Sequence, residues 1–188
     1  MLGGELGLIK EIRISGSGGQ GVVLAGIILA EAAGIYEGRQ VIHMQDYGGA
    51  MRGGAVRSEV LIADPGVEIV YPAATSADIL VAMTQEAANR WSKWVKESGI
   101  IVYDSTYVRD IPPSQTKTYT VPITVTIEEK LGTKVGANIV VLGVICKLTQ
   151  LVSEESLEQA VLQRIPKGTE SFNMKALKLG FELAQGLA

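Results

Sequence analysis

Cysteine and histidine are almost missing from these 188 residues, with one of each, Cys146 and His43. A lone cysteine excludes an intramolecular disulfide. It also excludes an iron–sulfur cluster held by this chain alone, which takes about four cysteine ligands. A lone histidine argues against a protein-only zinc site. Aromatic residues make up 5% of the chain against 47% hydrophobic residues in all, so the core must be mostly aliphatic. Long apolar runs are lacking too. The longest, Ile139 to Cys146, is far short of the roughly 20 residues needed to span a bilayer. No strong basic run occurs and the net charge is −3, which argues against a general nucleic-acid binder. Neither a basic region nor a continuous apolar stretch marks the N-terminus as a signal peptide. These absences lead to the expectation of a cytoplasmic protein with no membrane and no nucleic-acid partner. At this length, one domain over residues 1–188 is expected.

Glycine, by contrast, is abundant, at 22 residues. The most informative stretch is Gly16-Ser17-Gly18-Gly19-Gln20-Gly21, between the short apolar strand Ile12-Arg13-Ile14 and a helix-like run from Val22 to Ala33. A glycine turn there leaves backbone N–H groups bare at the positive end of a helix dipole, which favours an anion. Close packing of helix on strand would need fewer bare amides. A second glycine cluster, Tyr47-Gly48-Gly49-Ala50-Met51-Arg52-Gly53-Gly54, follows the next strand. Together the clusters read as two loops around one ligand or partner surface.

The order of elements supports this reading. Strands are expected at Glu11–Ser15, Gln40–Gln45, Val56–Ala63, Glu68–Tyr71, Ile79–Met83, Ile100–Tyr103 and Lys117–Val121. Helices are expected at Gly21–Gly34, Gln85–Glu97 with Gly99 as C-cap, Ile123–Gly132, Gly136–Leu151, a Ser153-capped segment to Arg164, and Met174–Leu187. Alternating strands and helices with all-apolar central strands predict a three-layer α/β domain, its sheet mixed but mostly parallel. Asp46 follows the second strand, where a nicotinamide-binding fold would place its ribose-binding acid. However, the second strand runs through a glycine loop straight into another strand. This is not a true Rossmann topology, and Asp46 reads as a loop residue.

The residues resemble a known family. Ile14 to Val22 followed by Leu24-Ala25-Gly26 is similar to the gamma subunit of 2-oxoacid:ferredoxin oxidoreductases. Tyr47-Gly48 through Met51-Arg52-Gly53-Gly54 resembles that family's second glycine loop. Ala77 to Ala82 and Asn138 through Gly143 also fit. Tyr47 and Met51 favour the 2-oxoglutarate or pyruvate branch over the indolepyruvate one. The resemblance implies a multi-subunit enzyme that oxidatively decarboxylates a 2-oxoacid, reduces ferredoxin and transfers the acyl group to coenzyme A. It implies sibling alpha, beta and ferredoxin-like delta subunits, which carry thiamine diphosphate and the iron–sulfur clusters. The chain itself would supply an active-site wall and coenzyme A contacts. The rival reading is a stand-alone module that binds a phosphate ligand, either a nucleotide or coenzyme A.

No residue is expected to be catalytic or to bind metal. The candidate ligand-binding residues are Gly16, Gly18, Gly19, Gln20, Gly21, Tyr47, Arg52, Gly53 and Asn138. Arg52 carries a guanidinium suited either to a phosphate or carboxylate ligand or to a surface salt bridge. Asn138 opens an apolar helix, either as its cap or with its amide turned to the site. Arg57 reads as structural, His43 as a half-buried histidine and Cys146 as an inert core thiol. Trp91 and Trp94, three apart, share a helix face that is either core or a docking patch. The two glycine loops are expected side by side at one sheet edge, leaving neighbouring parallel strands.

Overall fold

The computed structural model describes residues 9–48, 55–70 and 76–187. Period-two alternation in Ile12-Arg13-Ile14 and Val60-Leu61-Ile62 sends successive side chains to opposite faces of a sheet. Strands β1 (Ile9–Ser17), β2 (Val41–Tyr47), β3 (Ala55–Ala63), β4 (Ala77–Ala82), β5 (Val95–Asp104) and β6 (Lys117–Val121) form this sheet in the order β2-β3-β1-β4-β5-β6. β1, β4, β5 and β6 pair in parallel, whereas β3 lies antiparallel between β1 and β2. The sheet is therefore mixed and mostly parallel, as expected.

The helices are α1 (Val22–Glu31, continued by a π-helical turn over Ala32–Tyr36), α2 (Gln85–Trp91), α3 (Ile123–Leu131), α4 (Ala137–Thr149), α5 (Glu154–Arg164) and α6 (Glu170–Gln185). They cover the two faces unequally. Ile12, Ile14, Val60, Ile62, Val81 and Val102 pack against α1, α3, α4, α5 and α6 in one large aliphatic core. Each such side chain, fully buried, contributes about 1.5–3 kcal/mol. On the other face Leu80, Ile101 and Tyr103 meet Ala87 and Ala88 of α2. α4 is buried on every side from Ala137 to Cys146, as its uniformly apolar sequence requires.

Several boundaries differ from the sequence expectations. The helix expected over Gln85–Glu97 stops at Trp91 and tightens into a turn at Ser92–Trp94. Ser92 Oγ donates to Ala88 O at 2.6 Å and bonds the Tyr103 hydroxyl at 2.8 Å. That local bond competes with helix continuation. Gly99 is therefore no C-cap. It lies inside β5, where a Cβ would come 2.5 Å from Asp78 O. The strand expected over Glu68–Tyr71 is irregular through Val70, and Tyr71 lies outside the described residues. α6 begins four residues before the expected Met174. Its first turn, Glu170 to Asn173, holds Phe172 as its one apolar residue among polar ones, with Asn173 Nδ2 donating to Thr169 O at 3.0 Å, too little for apolar periodicity to register. Ser153 caps α5 as expected, its Oγ accepting from Ser156 N at 3.1 Å.

Candidate functional site at the glycine-loop edge

β1, β4 and β5 all end at one edge of the sheet, where open α/β sheets bind ligands. The turn after β1 is self-braced. Ser17 N donates to Gln20 Oε1 at 2.7 Å, and Gln20 Nε2 donates to Met83 O at 3.2 Å, beyond β4. Gly21 then adopts left-handed φ +71 and starts α1 with no side-chain cap. By helix geometry, the first N–H groups of α1 find no intrahelical partner.

The end of the glycine turn and Leu24 of α1 form one wall of a crevice of about 310 Å3, lined also by Tyr107, Thr124, Lys134 and Asn138. Asp104, fully buried at the end of β5, positions the opposite wall. Its carboxylate accepts from Thr106 N at 3.0 Å, Thr124 N at 3.3 Å and the Thr124 hydroxyl. Its carbonyl accepts from Tyr107 N at 3.1 Å. Lys134 Nζ stands 5.9 Å from the Tyr107 ring and 3.6 Å from Glu128. No carboxylate among the described residues lines the crevice. Bare amides, one ammonium and no lining acid suit an anion.

The structure thus brings Asn138 to Gly19, Gln20 and Gly21, from which the sequence separates it widely. Asn138 does not cap α4. Gly136 holds that position at φ +91, and the Asn138 carboxamide packs against Gly21 instead. Gly18 is exposed on the loop's outer side. Gly16 is packed inside against Gln20 and Met83 and does not line the crevice. The Gln20 amide is engaged at both ends by backbone, so it shapes the loop.

Tyr47, 55% exposed, ends β2 and is not part of the crevice. Arg52 and Gly53 lie outside the described residues. β1 and β2 do run in the same sense and end at the same edge, Ser17 opposite Ala55 and Tyr47 opposite Val56. They are not neighbours, because β3 intervenes. The two loops therefore leave strands about 10 Å apart. Tyr107, Thr124, Asp104 and Lys134 were missed. The available signals were a polar Asp104-Ser105-Thr106 step directly after a buried strand, and a lysine between Gly132 and Gly136.

Other singled-out residues have structural roles. His43 Nε2 lies 2.8 Å from Ser58 Oγ beneath α1, and burial lowers its pKa. Cys146 donates to Val152 O at 3.3 Å, and burial first, then Glu154, pushes its thiol up to about 11. Arg57 pairs with Asp46 at 3.3 Å. The tryptophans part company: Trp91 turns to the sheet, and Trp94 in the following turn is 50% exposed. No helix among the described residues is long and apolar enough to cross a membrane. No group of three or more acidic, cysteine or histidine residues among them is placed to hold a metal.

Comparison with known proteins sets this fold in context. The family described as pyruvate ferredoxin/flavodoxin oxidoreductase matches residues 11–183. The 2-oxoglutarate synthase subunit KorC of Methanocaldococcus jannaschii is 41% identical over 180 residues, covering 95% of each chain. The crystal structure of the keto/oxoacid ferredoxin oxidoreductase gamma subunit from Geobacter sulfurreducens superposes with a TM-score of 0.84 at 44% identity, over 94% of this chain and 99% of that one. The 2-oxoglutarate:ferredoxin oxidoreductase of Magnetococcus marinus shares the fold, with a TM-score of 0.84 at 24% identity, over 96% of this chain and 32% of that longer chain. On the family match over most of its length and the identity to KorC, this chain belongs to the pyruvate ferredoxin/flavodoxin oxidoreductase family, as one of its gamma-type subunits.

Proposed function

We propose that residues 1–188 form one gamma-type domain of a cytoplasmic, multi-subunit 2-oxoacid:ferredoxin oxidoreductase of the 2-oxoglutarate branch. The complex cleaves the 2-oxoacid carboxylate off as carbon dioxide, delivers two electrons to ferredoxin and passes the acyl group to coenzyme A. The KorC likeness supports the 2-oxoglutarate branch over pyruvate.

The observation that carries the role of this chain is the acid-free crevice between the glycine loop and Asn138. Its residues fit an anionic group. The Gly19 and Gly21 amides and the Lys134 ammonium would hold a coenzyme A phosphate, while the Tyr107 ring offers an apolar side; the Gln20 N–H is taken by Ser17 O at 3.2 Å. Coenzyme A, when bound, supplies the thiol that accepts the acyl group. The chain's own donors do not fit an iron–sulfur cluster: its one thiol is buried and protonated at neutral pH. In this reading the redox centres and thiamine diphosphate are carried by alpha, beta and ferredoxin-like delta siblings. Tyr47, Arg52 and Gly53 in the second loop remain candidates for the same surface, facing coenzyme A or a sibling carboxylate.

Co-expression with the siblings tests this reading. The expected result is a purified complex in which Lys134→Ala raises the KM for coenzyme A several-fold with little change in kcat. Arg52→Ala is expected to lower acyl transfer or assembly while leaving the fold of this chain intact. An unchanged coenzyme A dependence in Lys134→Ala would remove the crevice from the site. Tight nucleotide binding by the isolated chain, with no affinity for siblings, would favour the stand-alone module. Alone, the chain is expected to be colourless and without turnover.

A further inference from the structure

The sheet face opposite the large core carries a charged, aromatic patch that the crevice does not use. Trp91 is surrounded by three guanidinium groups, with Arg13 at 4.5 Å, Arg57 at 4.6 Å and Arg90 at 4.9 Å from its ring centroid. Two of these are internally matched. Arg13 Nε donates to Glu59 Oε1 at 2.7 Å, and Arg57 pairs with Asp46. Arg90 is different. It is exposed, and so is Lys93, whose Nζ lies 6.0 Å from the Trp94 ring. Among the described residues neither Arg90 nor Lys93 has a carboxylate in ion-pair reach. Trp94 beside them is 50% exposed. The result is a cationic, aromatic surface on a chain of net charge −3.

We propose that Arg90, Trp91, Lys93 and Trp94 form a docking surface for an acidic face of a sibling subunit. This rests on the reading of the chain as a subunit of a larger oxidoreductase. Tryptophan and arginine dominate the energetics of protein interfaces, and a tryptophan left half in water beside unmatched cations fits a partner that brings carboxylates. A second copy of this chain fits poorly. A two-fold contact would bring two surfaces of the same positive character together, and the acids at the patch, Glu59 and Asp46, are already paired with Arg13 and Arg57. Carboxylates on a sibling would instead steer and orient assembly, in a manner weakened by salt.

The test uses the co-expressed complex and, separately, titration of this chain into the remaining subunits. The double variant Arg90→Glu/Lys93→Glu is expected to weaken assembly about tenfold or more at low salt and to flatten its salt dependence. Trp94→Ser is expected to weaken assembly at every salt concentration. Arg90→Gln and Lys93→Gln provide a milder neutralisation should the charge reversal disturb folding, and the urea midpoint of each isolated variant checks for that. Unchanged affinity and salt dependence in the neutralised or reversed variants would overturn the proposal. Intact assembly with reduced ferredoxin-dependent turnover would also overturn it, assigning the patch to the electron acceptor. Loss of self-association alone would overturn it in favour of a second copy. Failure of the wild-type chain to assemble at all would overturn the subunit reading together with this one.

Discussion

The Asn138 carboxamide carbon stands 2.7 Å from the point where a Gly21 side chain would begin. The last residue of the glycine turn and the second residue of α4 are thus in direct contact, and this contact lies at the crevice wall. It can exist only because Gly21 has no Cβ and accepts φ +71.

Gly21→Ala is therefore expected to destabilise the chain by about 1–2 kcal/mol from the left-handed backbone alone. Displacement of Asn138 should also raise the KM for coenzyme A in the assembled enzyme. Adding Asn138→Ala removes the two shortest contacts and leaves Asn138 Cβ at 3.1 Å, but it does not relieve the backbone strain. The double variant should stay destabilised in urea unfolding.

Gly180→Ala tests the α4–α6 contact. Alanine in a helix interior is ordinarily better than glycine by about 1 kcal/mol. Here a Cβ would meet the Val140 carbonyl and come 2.9 Å from Gly143 Cα. These are backbone atoms that cannot swing aside, so the sign is expected to reverse. A loss of about 1–3 kcal/mol in urea unfolding is expected; a gain would show that the helices part easily.

His43 makes stability depend on pH. Burial lowers its pKa from 6.5 in the folded chain, so the unfolded chain binds more protons between the two values. Stability is then fully present above about 6.5 and falls as pH drops towards the folded value. His43→Gln keeps a partner for Ser58 without titrating. Its urea midpoint should change less than that of the wild type between roughly pH 7.5 and 5.

Cys146 should be inert in the native chain. Its thiol, pushed up to about 11 by burial and then by Glu154, stays protonated at pH 8. Reaction with a thiol reagent should wait on unfolding, where the pKa returns to about 8.5. Rapid native-state labelling would contradict the buried position.

Local chemistry made much of this legible in the sequence. The glycine turn between β1 and α1, the Ser153 cap, the apolar α4 and the strand Lys117–Val121 all follow from short-range rules of turn, cap and periodicity. β1 and β2 do end at one edge, as expected, but not as neighbours, and residues 49–54 of the second loop lie outside the described residues. Other features needed the assembled sheet. The insertion of β3 between β1 and β2 is a non-local choice of pairing that no local signal carries. The end of α2 at Trp91 depends on Ser92 reaching Tyr103 eleven residues on. The second wall of the crevice depends on Asp104, Tyr107 and Lys134 meeting Gly21 across the sheet edge. By itself the sequence determined most of the elements, the aliphatic core and the anion-favouring turn, because each is fixed by neighbours along the chain. Only tertiary packing decided which distant residues face that turn, because such contacts depend on strand order.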